Sequence, residues 1–148
     1  MNKNYGKFLG MIVTSGILMY GVMYLNTYQL DHVLFSEMRV YMTILSTCVM
    51  AIVMLLFMLH MLKNKKTNSI IAIVSVLVFS ITFFMMRNQT TIDEVDYMQG
   101  MVPHHSIAIL TSERADIKDP RVKKLAEGII ETQKKEIKEM KELIEELK

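Results

Sequence analysis

Apolar residues come first in unbroken runs along this chain and later in stripes. Residues 8–25, 41–62 and 70–86 are almost free of charge, and each approaches the roughly 17 to 25 residues that a membrane-spanning helix requires. The third run is rich in Val and Ile, which would also suit a buried strand, but an uncharged stretch of that length favours a spanning helix. Beyond residue 88 the pattern changes. Val122, Leu125, Ala126, Ile129, Ile130, Gln133, Ile137, Met140 and Ile144 recur mostly at steps of three and four, which marks a helix with one apolar face. The other face carries Lys and Glu, with Glu131 and Lys135, and Lys138 and Glu142, at i,i+4 spacing. The pattern predicts an all-α chain in two parts: three transmembrane helices within residues 1–88, then an antiparallel helical hairpin over 89–148.

Local signals place the hairpin. Thr91, Ile92, Asp93 and Glu94 read as a capping box that starts a helix running to about Arg114. Pro103 lies inside it, removing the amide that would bond the Gln99 carbonyl and predicting a kink beside Gly100; the alternative makes Pro103 the first residue of a shorter helix. Residues 116–119 form the reversal, with Asp119 as N-cap and Pro120 as first residue of the second helix. Antiparallel pairing about that turn would set His105 across from about Ile130, Met101 from Gln133 or Lys134, and Met98 from Ile137. Such a hairpin buries little surface by itself. A homodimer forming a four-helix bundle would supply the missing pair, as would packing on the ends of the spans.

Composition and charge add orientation. The chain has 148 residues, 51% of them hydrophobic, and a formal net charge of +2, whose distribution says more than its sum. Lys3 and Lys7 precede the first span, Lys63, Lys65 and Lys66 lie between the second and third, and only Arg39 lies between the first and second. Short basic loops stay in the cytoplasm, so the N-terminus is expected inside and everything after residue 86 outside the plasma membrane, with Arg87 arguing mildly the other way. The first run could be a cleaved signal peptide, but it ends in Tyr24, Leu25, Asn26 and Thr27 without a small-x-small site, so it reads as retained. Cys48, the only cysteine, reads as a small buried hydrophobe. His60 reads as an interfacial residue at the end of its span. The connection over 26–40 carries Tyr28, Asp31, His32, Glu37 and Met38; Asp31 and His32 could lend ligands or a docking surface to the distal domain, though a short hydrated loop is the simpler account.

Candidate chemistry concentrates in residues 96–105, where Met98, Met101, His104 and His105 fall close together. Thioether with imidazole is the ligand set that suits Cu(I). At about 100° per residue Met98, Met101 and His105 share a face while His104 points away, toward Tyr97 and Ala108. Met140 on the second helix could add a thioether, and Asp96 and Gln133 could hydrogen-bond the ligands from behind. Equally, methionines at helical spacing fill cores. Met50, Met54, Met58 and Met61 in the second span form a further stripe; it reads as packing or lipid-facing, with a thioether path for Cu(I) as the alternative.

These residues also carry a resemblance. Asp96-Tyr97-Met98, Met101-Val102-Pro103-His104-His105, Ala108-Ile109, Leu125-Ala126, Ile129-Ile130, Gln133, Glu136-Ile137 and Met140 resemble the family called domain of unknown function 305. The resemblance implies a ferritin-like helical fold, and copper, since some members are linked to it. Many relatives carry Met where this chain has Leu110, which puts one thioether in doubt here.

Other chemistries lack their residues. No Glu stands three positions before His104 or His105, so the Glu-x-x-His pairs of di-iron bundles are missing. There is no zinc-protease helix, phosphate loop, Cys-x-x-Cys or nucleophile elbow. Ser106, the only conceivable serine nucleophile, is not placed to face the histidines by adjacency alone, and an enzyme is not expected. Basic and acidic residues alternate, giving no nucleic-acid stripe. The expectation is a multi-pass protein of the plasma (inner) membrane that binds Cu(I) in copper tolerance or trafficking, with the lipid bilayer, a second copy and other copper-handling proteins as partners. The alternative is a membrane-anchored helical interaction module without metal.

Overall fold

The computed structural model describes residues 3–147, and every regular element in it is helical. In chain order these are α1 (Lys3–Val22), a single 3-10 turn (Leu30–His32), α2 (Glu37–Phe57), α3 (Lys65–Asn88), α4 (Glu94–Arg114) and α5 (Pro120–Leu147). They form two compact units. One contains α1 and Met38–Thr91; the other contains Met23–Glu37 and the residues from Ile92 onward.

Helices α1, α2 and α3 are each long and apolar enough to cross a membrane, and at most 22% of any of their apolar windows is buried within the protein. Ile17, Leu18, Leu56, Phe57 and Phe84 stand largely exposed, which in water would be an unfavourable apolar surface and in lipid is none. Their own core joins Tyr5, Phe8, Ile12, Ala51, Leu55 and Leu62, with Met50, Met54 and Met58 packed against it. Three of the four stripe methionines thus pack within the unit, and Met61 is exposed.

The helix ends do not coincide with the ends of the apolar runs. Helix α2 stops at Phe57 rather than at residue 62, because the chain turns back at Met58 and buries Leu62, only 1% exposed, in that core. Asn64 then caps α3, its side chain accepting from the Thr67 amide at 3.1 Å, so α3 begins five residues earlier than the apolar run. The Tyr5 hydroxyl pins the turn: it donates to Asn68 Oδ1 at 2.7 Å and accepts from the Asn64 amide at 3.1 Å.

In the second unit α4 and α5 pack as a hairpin around Met98, Val102, Ile109, Ile137 and Ile144. Asp93 caps α4, accepting from the Asp96 amide at 2.8 Å, which displaces the expected Thr91 capping box; the Thr91 hydroxyl hydrogen-bonds Tyr41 instead. The helix runs unbroken across Pro103, which is fully buried, so the shorter helix starting at Pro103 does not form. At the reversal Asp119 Oδ1 accepts from the Arg121 amide at 2.8 Å and α5 starts at Pro120, as the Asp-Pro pair predicts.

The surface that the hairpin lacks is supplied in part by Met23–Glu37. Tyr28 and Leu34 pack against the hairpin core, and His32 and Ser36 are buried. Gly100 eases the last of these, since a Cβ there would come within 3.3 Å of Ser36 Oγ, a tight contact. The loop expected to be hydrated is therefore a third layer of the unit.

Candidate metal site

Burial of Met98, Val102 and Ile109 fixes the face that α4 turns toward α5. With 100° between successive residues, Met101 and His105 lie on one flank of that face, Ser106 on the other, and His104 points away. His104 is accordingly exposed, its ring edge-on to His105 at 6.0 Å between centroids.

The His105 side chain is 12% exposed and both ring nitrogens are engaged. Nδ1 lies 3.0 Å from the Met101 carbonyl oxygen, and a carbonyl only accepts, so Nδ1 carries a proton and donates it. Nε2 lies 2.9 Å from Glu136 Oε2, to which Gln133 Nε2 also donates at 3.3 Å. The register thus differs from the expected one: His105 meets Glu136, not Ile130. Helical side chains lean toward their own N-termini, and in an antiparallel pair those leans converge, so residues meet whose Cα atoms are more than a turn out of level.

The other sequence candidates divide. Met98, 7% exposed, belongs to the hairpin core and Met140 packs against it, so these two thioethers share one cluster. Met101 is half-buried on the flank of His105, whereas Leu110, also half-buried, lies four residues after Ser106 on the opposite flank. Asp96 lies about two and a half turns before His105, where partial burial, then the charges of Asp93 and Glu37, raise its pKa above the ordinary carboxylate value. Gln133 backs the site through Glu136. Among the described residues no three of His, Cys, Asp and Glu converge. Sequence reasoning missed Glu136 as the partner of His105; its signal was the i,i+3 spacing from Gln133, which puts both on one flank of α5.

A second polar cluster occupies the opposite flank. Ser106, wholly buried, accepts from the Tyr28 amide at 2.7 Å and lies 2.9 Å from His32 Nδ1. Lys141 bonds Asp31 at 2.6 Å, Glu113 accepts from Tyr28 and Lys134, and the Lys134 ammonium sits 5.6 Å from the centre of the Tyr28 ring. Burial, and then the Lys141 charge, hold the His32 pKa below its ordinary 6.5. A lowered histidine value means that the unfolded chain binds the extra proton, so docking of Met23–Glu37 is fully stabilised above pH 6.5 and weakens as pH falls below it. We expect amide exchange in residues 23–37 to accelerate between pH 7.5 and 5 relative to α5, with a slope of at most about 1.4 kcal/mol per pH unit, and His32→Gln to remove that slope. An identical slope in the variant would assign it elsewhere. Asp31 is no confounder, because its bond to Lys141 lowers its pKa below 3.8.

A model of the family described as domain of unknown function 305 matches residues 87–148. The uncharacterized protein L153 of Acanthamoeba polyphaga mimivirus is 36% identical over 110 residues, covering 73% of this chain and 70% of its own length. That stretch is longer than the segment the family model matches, so the likeness includes α3. No solved structure matches the chain.

Proposed function

The chain belongs to the family described as domain of unknown function 305, and from that premise we propose that it is a membrane-anchored metal-binding protein whose hairpin holds copper as Cu(I). The observation that carries this reading is His105. A metal-binding imidazole characteristically donates its second nitrogen to a carbonyl or carboxylate, which fixes the ring and frees the first; the Nδ1 bond to the Met101 carbonyl is that arrangement. Nε2, on the flank that also carries Met101, faces the Glu136 carboxylate at 2.9 Å, so its lone pair would serve a metal only once that bond and the proton in it are given up. His105 and Met101 are the central ligands of this reading, with Met98 and Met140 adding thioethers after a side-chain rearrangement in the cluster they share, and with exposed His104 admitting or releasing the ion. Copper chemistry here is ligand exchange, for which a thioether and imidazole set suits the monovalent ion. For an ion to be held there, Glu136 would have to leave Nε2.

The test is titration of the full-length protein in mild detergent, under reducing conditions, against a Cu(I) chelator of moderate affinity. Retention of one ion per chain or per pair of chains is the expected result. Failure to hold Cu(I) against that competitor would overturn the proposal.

One observation favours the reading without metal: Met98 and Met140 pack as apolar residues, and both His105 nitrogens are already bonded. In that reading the hairpin is an interaction module and Met101→Leu is silent.

We further propose that the hairpin lies outside the cytoplasm, because the basic residues Lys63, Lys65 and Lys66 between α2 and α3 favour the inner face. Cysteines placed at Thr90 and Asn68 in a Cys48→Ala background are expected to react with an impermeant thiol reagent on intact cells at Thr90 alone. Reaction at Asn68 alone reverses the topology.

A further inference from the structure

Buried Ile137 divides α5 into two flanks. Gln133, Glu136 and Met140 lie on the side of His105; Lys134, Lys138 and Lys141 lie on the other. Those three lysines, with Tyr28, Gln29, His32, Ile109 and Ile137, line a cavity of about 340 Å³. No acidic side chain is in that lining. The carboxylates that pair with the lysines stand outside it, Asp31 on Lys141 at 2.6 Å, Glu113 on Lys134 at 3.1 Å and Glu142 on Lys138 at 3.8 Å. The three ammonium groups, at i, i+4 and i+7, share one flank of the helix, and each has a carboxylate partner that is not part of the lining.

His32 adds a directed donor. Ser106 Oγ receives the Tyr28 amide proton, and among the described residues the one acceptor within reach of its own proton is His32 Nδ1. With Nδ1 accepting, the proton of the neutral ring sits on Nε2. Nε2 is 3.9 Å from Asp31 Oδ1, beyond hydrogen-bond reach. Among the described residues no acceptor lies within hydrogen-bond reach of this N–H, and His32 is part of the cavity lining.

We propose that this cavity binds a small organic oxyanion, its charged end held by Lys134, Lys138, Lys141 and the His32 Nε2–H, its apolar part against Ile109, Ile137 and the Tyr28 ring. The site is separate from the His105 flank and does not depend on metal binding there. A phosphate group suits it best, because several dispersed ammonium donors match an oxyanion with several acceptor oxygens and more than one charge. Such a group could come from a soluble metabolite or from a lipid headgroup.

The experiment is calorimetric titration of phenyl phosphate into the full-length protein in nanodiscs of zwitterionic lipid, at constant ionic strength. Saturable binding of one molecule per chain is expected, tighter than that of inorganic phosphate because the ring fills the apolar wall. Lys138→Gln is the informative variant, since Lys138 is 80% exposed and holds only a long i,i+4 pair, so its loss leaves the fold intact; it should weaken binding at least fivefold. Lys135→Gln, on the far side of α5, should leave binding unchanged. Absence of saturable binding, or equal weakening by Lys138→Gln and Lys135→Gln, overturns the proposal. Competition by anionic lipid in the nanodisc identifies a headgroup as the source, and its absence a soluble anion.

Discussion

Replacing Ser106 with alanine is expected to release residues 23–37 from the hairpin while the hairpin itself stays folded. The substitution removes the acceptor of the Tyr28 amide and the partner of His32 Nδ1 together, from a position that solvent does not reach. A buried polar group left without its partner costs about 1 to 3 kcal/mol, so the loss is on the order of 2 to 6 kcal/mol, toward the lower figure because the Tyr28 amide is only partly buried. Alanine is a good helix former and the lost hydroxyl leaves a small void, so α4 should persist. A cost of about 2.7 kcal/mol corresponds to roughly a hundredfold faster exchange through local opening. Hydrogen exchange at Tyr28 and His32, compared with Ile137 on α5, is the measurement. Unchanged protection at Tyr28 would show that the segment is held without the Ser106 bonds, by the packing of Tyr28 and Leu34 and the bonds of Asp31 to Lys141 and Tyr28 to Glu113.

The second large effect concerns the other flank. His105→Ala should lower Cu(I) affinity on the order of a hundredfold or more, since even a residue that merely orients a ligand is worth tenfold to a hundredfold. Met101→Leu should come next, because leucine keeps most of the volume and none of the sulfur. His104→Ala should matter least, its ring being exposed and off the shared face. Glu136→Gln distinguishes the ion: Cu(I) affinity should change only a few-fold, whereas affinity for Cu(II), which accepts carboxylate oxygen readily, should fall about tenfold. Circular dichroism of each variant separates lost ligation from lost fold. Cu(I) binding that survives His105→Ala intact would remove the site from this flank.

Much of this architecture could be read from local pattern. The three apolar runs specify helices long enough to span a membrane because length and absence of charge are properties of the segment alone. Asp119 and Pro120 specify where α5 begins because a cap and a fixed φ act within a few residues. The shared flank of Met101 and His105 follows from helical periodicity, as does the outward turn of His104. Where several local signals competed, as at Thr91 and Asp93 for the cap of α4 or at residues 57–64 for the end of α2, the outcome depended on which partner a neighbouring helix offered: Tyr41 for Thr91, and the α1 and α2 core for Leu62.

What only the tertiary structure decided is long-range. The bond from the Tyr28 amide to Ser106 spans 78 positions and that between Asp31 and Lys141 spans 110, and no periodicity near either end announces them. Ser106 reads in sequence as a lone serine after two histidines, and His32 as a histidine in a short loop. Their meeting depends on which flank of α4 remains uncovered once Val102 and Ile109 have chosen α5, and on the room that Gly100 leaves for Ser36. The partner of His105 was decided in the same way, since the lean of two side chains on antiparallel helices sets a pairing that Cα spacing alone does not give. Periodicity determined which residues share a face; packing determined what each face meets, because burial is a property of pairs of surfaces and a sequence states only one of them at a time.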